Sequence, residues 1–425
     1  MKVVLIGSGG REHAIAYKIA QSKKLEKLFI IPGNPGTKNF GENVQLDIKD
    51  HDSIIGFCKE NKIDLVVVGP EQPLIEGIAD KFSAEGIKVF GPSRNAARIE
   101  GEKSFAKNLM KEYGVPTADY KTFLKEEYFD SLEYLKNSKL PIVIKADGIA
   151  AGKGVIVAET FGQAKNAVED CFVHSAFGSS GNKVVIEEFM TGQEASIFAI
   201  TDGTEYILLP AAQDHKRILD GDNGKNTGGM GAYAPTPFVD DSILKITTQK
   251  IIEPVLKALR ESESNFVGCL YCGLMLTNEG PKVVEFNCRF GDPETQVVLP
   301  LLDGDLLELF YSAACGSINK NAVKYNGGAS VCVVAAAKGY PDSYEKGKVI
   351  TGINETESNE IIVYHAGTME TEGRLLTNGG RVFGVTSVVR TNDLKLAKEK
   401  SYTALSKINF DGIYYRKDIS DKALK

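Results

Sequence analysis

Short apolar runs that stop at glycine or proline alternate with amphipathic stretches through the first hundred residues. "KVVLIG" gives way to "SGGREHAIAYKIA", "KLFII" to "PGNPGT" and "DLVVVG" to "PEQPLIEGIADKF", and "IKVFGPS" closes the series. Such alternation predicts a parallel sheet with helices on both faces, ending near residue 100. A charged helical stretch, "EGEKSFAKNLMKEYG", then stops at Gly114 and Pro116 and leads into a new unit. That unit contains "PIVIKADGIAAGKGVIVA", two apolar runs around a glycine-rich tip, which reads as a β-hairpin. A helical segment and "KVVIEEFMTG" follow, then longer strands and polar loops. From about residue 327, "ASVCVVAAAKGY", "EIIVYHAGTME" and "GRVFGVTSVVRT" predict an antiparallel set with one late helix, "DLKLAKEKSYTALSKI". The expected fold is multidomain, α/β and α+β: a parallel-sheet unit at 1–102, a middle region at 103–326 with the hairpin subdomain at about 121–190, and a small α+β unit at 327–425.

Composition narrows this picture. A chain of 425 residues exceeds one hydrophobic core, so two to four domains are expected. A formal charge of −6 provides no broad basic footprint, which argues against nucleic acid as a partner. The seven cysteines are scattered, no secretory segment precedes the first strand, and no apolar run reaches membrane length. These features predict a reduced, cytoplasmic protein with no membrane partner. Cys269 and Cys272, three apart on an expected strand, point to opposite faces and read as buried thiols rather than half a zinc site.

Candidate chemistry falls on several stretches. The hairpin carries Lys145, Gly148, Gly152, Lys153 and Gly154, yet lacks the spacing, the Ser or Thr and the following helix of a Walker loop. It reads as a cover over a phosphate ligand bound elsewhere. The turns "GSGGRE", "PGNPGT" and "GPEQPL" fall after parallel strands, at the edge where such sheets bind ligands, and the first opens a helix suited to an anion. A dinucleotide fingerprint fails because Glu12 stands where a third glycine is required, so a monophosphate fits better. His13, inside that helix, has no evident catalytic partner. In "GPKVVEFNCRFGDPETQ", Glu285 and Asn287 share one strand face while Phe286 and Cys288 take the other. An acid and an amide oxygen suit a hard cation that completes its shell from water and phosphate, and Arg289 beyond them offers a fork for a carboxylate. "VVIEEFMTGQE" reads as a nucleotide hinge, and the long glycine-rich segment 214–237 reads as a substrate-contacting loop.

Taken together, "GSGGREHA", "IKADGIAAGKGV", "NTGGMGAYAP" and "EFNCRFGDPETQ", in this order and over essentially the whole chain, resemble the phosphoribosylamine–glycine ligase family of the ATP-grasp superfamily. The resemblance implies an ATP-grasp core that holds ATP between two α+β subdomains, with the glycine-rich hairpin as lid. It implies that Lys103, Lys145 and Lys153 contact ATP phosphates, that Glu187, Glu188, Phe189 and Met190 form the adenine hinge, and that Glu194 binds ribose. Glu285 and Asn287 would ligate magnesium or manganese, and the expected acid on the preceding strand is missing from "LMLT". Arg289 would hold the carboxylate of glycine. Gly9, Gly10, Asn34, Pro35, Gly36 and Glu71, with Asn226, Thr227, Gly228, Gly229 and Met230, would hold 5-phosphoribosylamine. The implied reaction passes through glycyl phosphate in purine biosynthesis, with Asp214, read as a solvated loop acid, serving either as proton acceptor or structurally. A purine-pathway enzyme is a possible transient partner that delivers phosphoribosylamine. The rival readings are another carboxylate ligase or carboxylase, a dinucleotide-dependent oxidoreductase and a nucleotide sensor.

Overall fold

The computed structural model describes residues 1–148 and 154–424, without the side chain of Ser179. The expected parallel sheet is present: Lys2–Gly7 lies centrally, flanked by Lys27–Pro32 then Glu42–Asn43 on one side and by Leu65–Val68 then Lys88–Phe90 on the other. Alternation sends Val4, Ile6, Val66 and Val68 toward Ile54, Cys58, Ile78 and Phe82 of helices His51–Glu60 and Ile78–Ala84. It sends Val3, Leu5, Leu65 and Val67 toward Ile15, Ala16 and Ile19 of helix Gly10–Ile19. That second face is completed from far along the chain, where helix Leu306–Ala314 brings Phe310 to stack on Phe90 at 4.0 Å. Each buried aromatic of this kind contributes about 1.5–3 kcal/mol, so the first sheet and the later helix share one core.

Strands Ile142–Ala146 and Val155–Ala158 pair antiparallel, with Lys145 opposite Val155, as the hairpin reading requires. Gly152 and Lys153 lie outside the described residues. The hairpin belongs to a four-stranded sheet with Tyr120–Leu124 and Lys183–Glu188, and Phe172 from helix Phe161–Phe172 packs with Phe123, Ile144 and Ile186 in its core. A second four-stranded sheet runs Tyr206–Leu208, Gln193–Thr201, Gly268–Thr277, Gly280–Asn287, all antiparallel. Cys269 and Cys272 of its third strand enter two different cores, as their spacing predicts.

The segment 214–237 departs from the expected loop. Gln213–Asp214 pairs with Gly231–Ala234, which pairs in turn with Ala329–Ala336, and Arg217–Leu219 forms a small hairpin with Asn223–Asn226. The five-stranded sheet then continues through Arg381–Val389 to Ile361–His365, and helix Leu394–Leu405 packs against it. "QD" and "GAYA" have little strand propensity of their own; pairing with partners distant in sequence overrides it. Among the described residues, no helix is long and apolar enough to cross a membrane.

Candidate active site

At the carboxyl ends of the parallel strands, the Glu12 side chain packs between the turns at Gly7 and Gly69. Glu12 folds back so that Oε2 accepts the Gly9 N–H at 2.7 Å. A Cβ on Gly7 would meet the Glu12 side chain at 2.5 Å and one on Gly69 at 2.2 Å. A carboxylate thus stands at this turn where the dinucleotide fingerprint requires a glycine, which weighs against the oxidoreductase reading. In the next turn Asn34 is fully engaged: Nδ2 donates to the Ser8 and His365 carbonyls at 2.8 and 2.9 Å, and Oδ1 accepts from the Gly36 and Thr37 N–H groups at 2.9 and 3.1 Å. It shapes the turn that carries Pro35 and Gly36 and ties it to the C-terminal sheet. His13 completes that seam, its Nδ1 accepting from the His365 N–H at 2.8 Å. Burial, then the neighbouring His365, holds the His13 pKa well below the usual range, so the ring is neutral in this seam. Gly10 lies against Gln296, whose Nε2 would be 2.7 Å from an added Cβ.

Beneath the hairpin, Lys145 is 6% exposed and its Nζ lies 2.9 Å from Glu187 Oε1 while donating to the Val284 carbonyl at 3.1 Å. Glu187 turns inward from the hinge strand and is shared with Lys107, whose Nζ is 3.0 Å from Oε2. Burial lowers Lys107 to about 8 against the pull of Glu187. Lys103, the first residue of helix Lys103–Glu112, donates to the Gly148 carbonyl at 2.6 Å and so fastens the helix to the base of the hairpin. Glu188 and Phe189 are exposed and Met190 half-buried, so the edge of the hinge faces outward. The Glu188 N–H donates to the Asp119 carbonyl at 2.9 Å.

The acid strand behaves as its period of two requires. Phe286 and Cys288 are buried in the core, while the Glu285 side chain is 42% exposed on the other face. Gly273, directly opposite Glu285, leaves room for it: an added Cβ would stand 3.3 Å from Glu285 Cγ. Desolvation works against the Glu285 carboxylate, but Lys216, Lys145 and Lys103 together hold its pKa below the ordinary value. Among the described residues no cluster of three or more His, Cys, Asp or Glu could hold a metal ion. The ionised Glu285 and the Asn287 amide oxygen, two apart on one strand, are donors of the type that suits a hard divalent cation taking its remaining ligands from phosphate and water.

Lys216 stands in the middle of this face, 2.9 Å from Glu194 and 3.9 Å from Glu285. Asp214 differs from the sequence expectation. It lies on a strand, 9% exposed, rather than in a solvated loop, and burial raises its pKa in spite of Lys216. Beside it Tyr271 OH donates to Glu294 Oε1 at 2.9 Å and contacts Ser196 Oγ at 2.8 Å. A carboxyl group whose proton affinity is raised next to a fixed ammonium is suited to accepting a proton near neutrality.

Arg289 closes the site on the side of the first domain. Its Nε donates to Glu71 at 3.1 Å, Nη2 to Glu100 at 2.8 Å and Nη1 to the Phe290 carbonyl at 3.1 Å. Burial disfavours the guanidinium charge, but Glu100 and Glu71 raise its pKa further. In the same exchange Glu71, opposed by desolvation, falls to about 2 through Arg289 and Arg11. Three of the five guanidinium N–H groups are thereby used. The Asn226–Met230 loop is pinned from the C-terminal sheet: Arg381 donates to the Gly228 and Asp292 carbonyls at 2.6 and 2.8 Å and pairs with the Asp292 carboxylate at 3.2 Å. Thr227 Oγ1 donates to the Lys216 carbonyl at 2.9 Å, and Met230 is fully buried. Sequence reasoning missed Lys107, Lys216, Glu100, Glu294 and Arg381. Only Glu294 carried a local signal, as one of the two acids in "GDPE".

Two α+β sheets that enclose lysines and an acid strand under a hairpin define an ATP-grasp enzyme, and solved structures share the fold. The biotin carboxylase domain of Hydrogenobacter thermophilus 2-oxoglutarate carboxylase, in complex with MgADP and bicarbonate, aligns with a TM-score of 0.75 at 16% identity, over 97% of this chain and 91% of that one. A crystal structure of the phosphoribosylamine–glycine ligase from Thermotoga maritima aligns with a TM-score of 0.83 at 34% identity, over 99% of this chain and 100% of that one. Family profiles for the N domain, the ATP-grasp (A) domain and the C domain of phosphoribosylglycinamide synthetase match residues 1–100, 101–295 and 330–422. The phosphoribosylamine–glycine ligase of Leptospira interrogans is 51% identical over 100% of this chain and 99% of its own length. The chain belongs to the phosphoribosylamine–glycine ligase family.

Proposed function

We propose that this protein joins glycine to 5-phosphoribosylamine with ATP, giving glycinamide ribonucleotide, ADP and phosphate in purine biosynthesis. Beyond family membership, the observation that carries the reading is the meeting of cations on the acid strand: Lys145 donates to the Val284 carbonyl beside Glu285 at 3.1 Å, and Lys216 stands 3.9 Å from the Glu285 carboxylate. ATP would lie between the two four-stranded sheets, its phosphates at Lys145 and Lys103 and, as the family resemblance implies, in contact with Lys153, its adenine at the 187–190 hinge and its ribose at Glu194. Glu285 and Asn287 would hold magnesium or manganese, which would supply charge neutralisation on the polyphosphate when bound. Arg289 would orient the glycine carboxylate as the phosphoryl acceptor, and Lys145 would stabilise charge on the transferring group.

A glycine carboxylate oxygen attacks the γ-phosphorus and ADP leaves. The amine of phosphoribosylamine then attacks the acyl carbon, phosphate leaves with that oxygen, and Asp214 accepts the amine proton. Phosphoribosylamine would sit between the first-domain turns and the 226–230 loop. A cytoplasmic setting and brief contact with the enzyme that supplies this amine fit the same reading. Glycine labelled with oxygen-18 in its carboxylate tests it: one labelled oxygen is expected in the phosphate released during turnover. Unlabelled phosphate during product formation would overturn the glycyl phosphate route.

A further inference from the structure

Glu187 serves two ammonium groups at once. Lys145 occupies Oε1 and Lys107 occupies Oε2, and the side chains of the three residues are 8%, 3% and 2% exposed for Lys145, Lys107 and Glu187. Lys107 also donates to Thr117 Oγ1 at 2.8 Å, and it is too buried to reach a ligand itself. A buried carboxylate with a single ammonium forms a closed, neutral pair that resists giving up its cation. With two, the group carries net positive charge, and neither ammonium is fully neutralised. The Lys145 ammonium also reaches the acid strand, where it donates to the Val284 carbonyl beside Glu285 at 3.1 Å.

We propose that Lys107 is a positioning residue for ATP use: by taking up half of the Glu187 carboxylate it keeps the Lys145 ammonium fixed in place yet available to a polyphosphate. The proposal rests on the reading of Lys145 as a phosphate contact. It assigns Glu187 the task of aiming a cation from beneath, with the outward edge of the hinge left to its backbone and to the residues that follow.

Four variants test this: Lys107→Met, Glu187→Gln, the double Lys107→Met/Glu187→Gln, and Lys145→Met, each read by ATP KM, glycine KM, kcat and thermal unfolding. Lys107→Met is expected to raise ATP KM about tenfold, within the range of coupling between contacting groups, while glycine KM moves less than about twofold. The double variant restores a single unopposed ammonium, and it is expected to recover about fivefold relative to either single change. Losses that simply multiply in the double variant, or an unchanged ATP KM in Lys107→Met, would show that Lys107 only braces its helix and would overturn the proposal. Where a single variant does not fold, the double decides: an ATP KM well below that of Lys145→Met supports the proposal, and one equal to it refutes it. Should Lys145→Met itself bind ATP normally, the phosphate reading fails and the proposal falls with it. Loss in Lys145→Met beside a normal Lys107→Met sinks the proposal alone.

Discussion

Acidification should loosen the seam between the first domain and the C-terminal sheet, by an amount that its histidines set. His365 is 8% exposed, with Nδ1 3.1 Å from Thr368 Oγ1, and burial lowers its pKa from 6.5 to about 4. Between those two values the unfolded chain binds a proton that the folded chain refuses, so this contribution is fully present above pH 6.5 and is lost as pH falls toward 4. A displacement of that size corresponds to about 3 kcal/mol, with a limiting slope of about 1.4 kcal/mol per pH unit. His13, in direct contact with His365, is depressed as well, and His215, fully buried, drops to about 3. Asp214 and Glu100, whose pKa values burial raises, act in the opposite sense, so the wild-type slope alone is a mixture. The difference between wild type and His365→Asn isolates the imidazole. Urea unfolding followed by circular dichroism from pH 7.5 to 4.5 should show a flatter acid limb in the variant, by about 1 kcal/mol per pH unit. Parallel limbs would refute the claim that His365 is held neutral by its burial in this seam.

Glu285→Ala should nearly abolish turnover and shift stability by less than about 1 kcal/mol, since its side chain is 42% exposed; an unchanged rate at saturating magnesium would remove it from the site. Arg289→Ala should cost about 3–5 kcal/mol as well as activity, because Glu71 and Glu100 lose their shared cation, and chemical denaturation at wild-type midpoint would contradict this. Gly229→Ala, at φ 108° with an added Cβ 2.4 Å from Pro293 Cδ, should disturb the 226–230 loop and raise phosphoribosylamine KM, leaving ATP KM in place. In the wild type kcat should rise with pH as Asp214, whose pKa burial raises, loses its proton; the limb should vanish in Asp214→Asn, and its persistence would exclude Asp214 as the acceptor.

What the sequence revealed and what it hid have physical reasons. The split of Glu285 and Asn287 from Phe286 and Cys288 was legible because a strand has a period of two and the apolar pair marks the inner face. The failure of the dinucleotide pattern at Glu12 was legible too, although only the structure shows the carboxyl group folded back onto the Gly9 N–H. Lys107 and Lys216 were not legible. On a helix rich in charge, or in "QDHKR", a lysine looks like a solvated one until distant carboxylates are brought to it, Glu187 for the first and Glu194 and Glu285 for the second. Asp214 was misplaced for the same cause: its strand exists only through pairing with Gly231–Ala234, itself paired with Ala329–Ala336.

That last pairing bears on the order in which synthesis supplies the parts of the site. The strands at 213–214 and 231–234 and the arginine that pins Gly228 to Asp292 all depend on residues that the ribosome delivers later, at 329–336 and at Arg381. The strands of the two four-stranded sheets, by contrast, end at Asn287, and the second sheet packs on helix Leu306–Ala314, which follows soon after. A nascent chain therefore delivers the strands of both sheets before the 226–230 loop has anything to rest on. A chain that ended before Arg381 would lack the contact that ties Gly228 to Asp292 and, with it, the support of that loop.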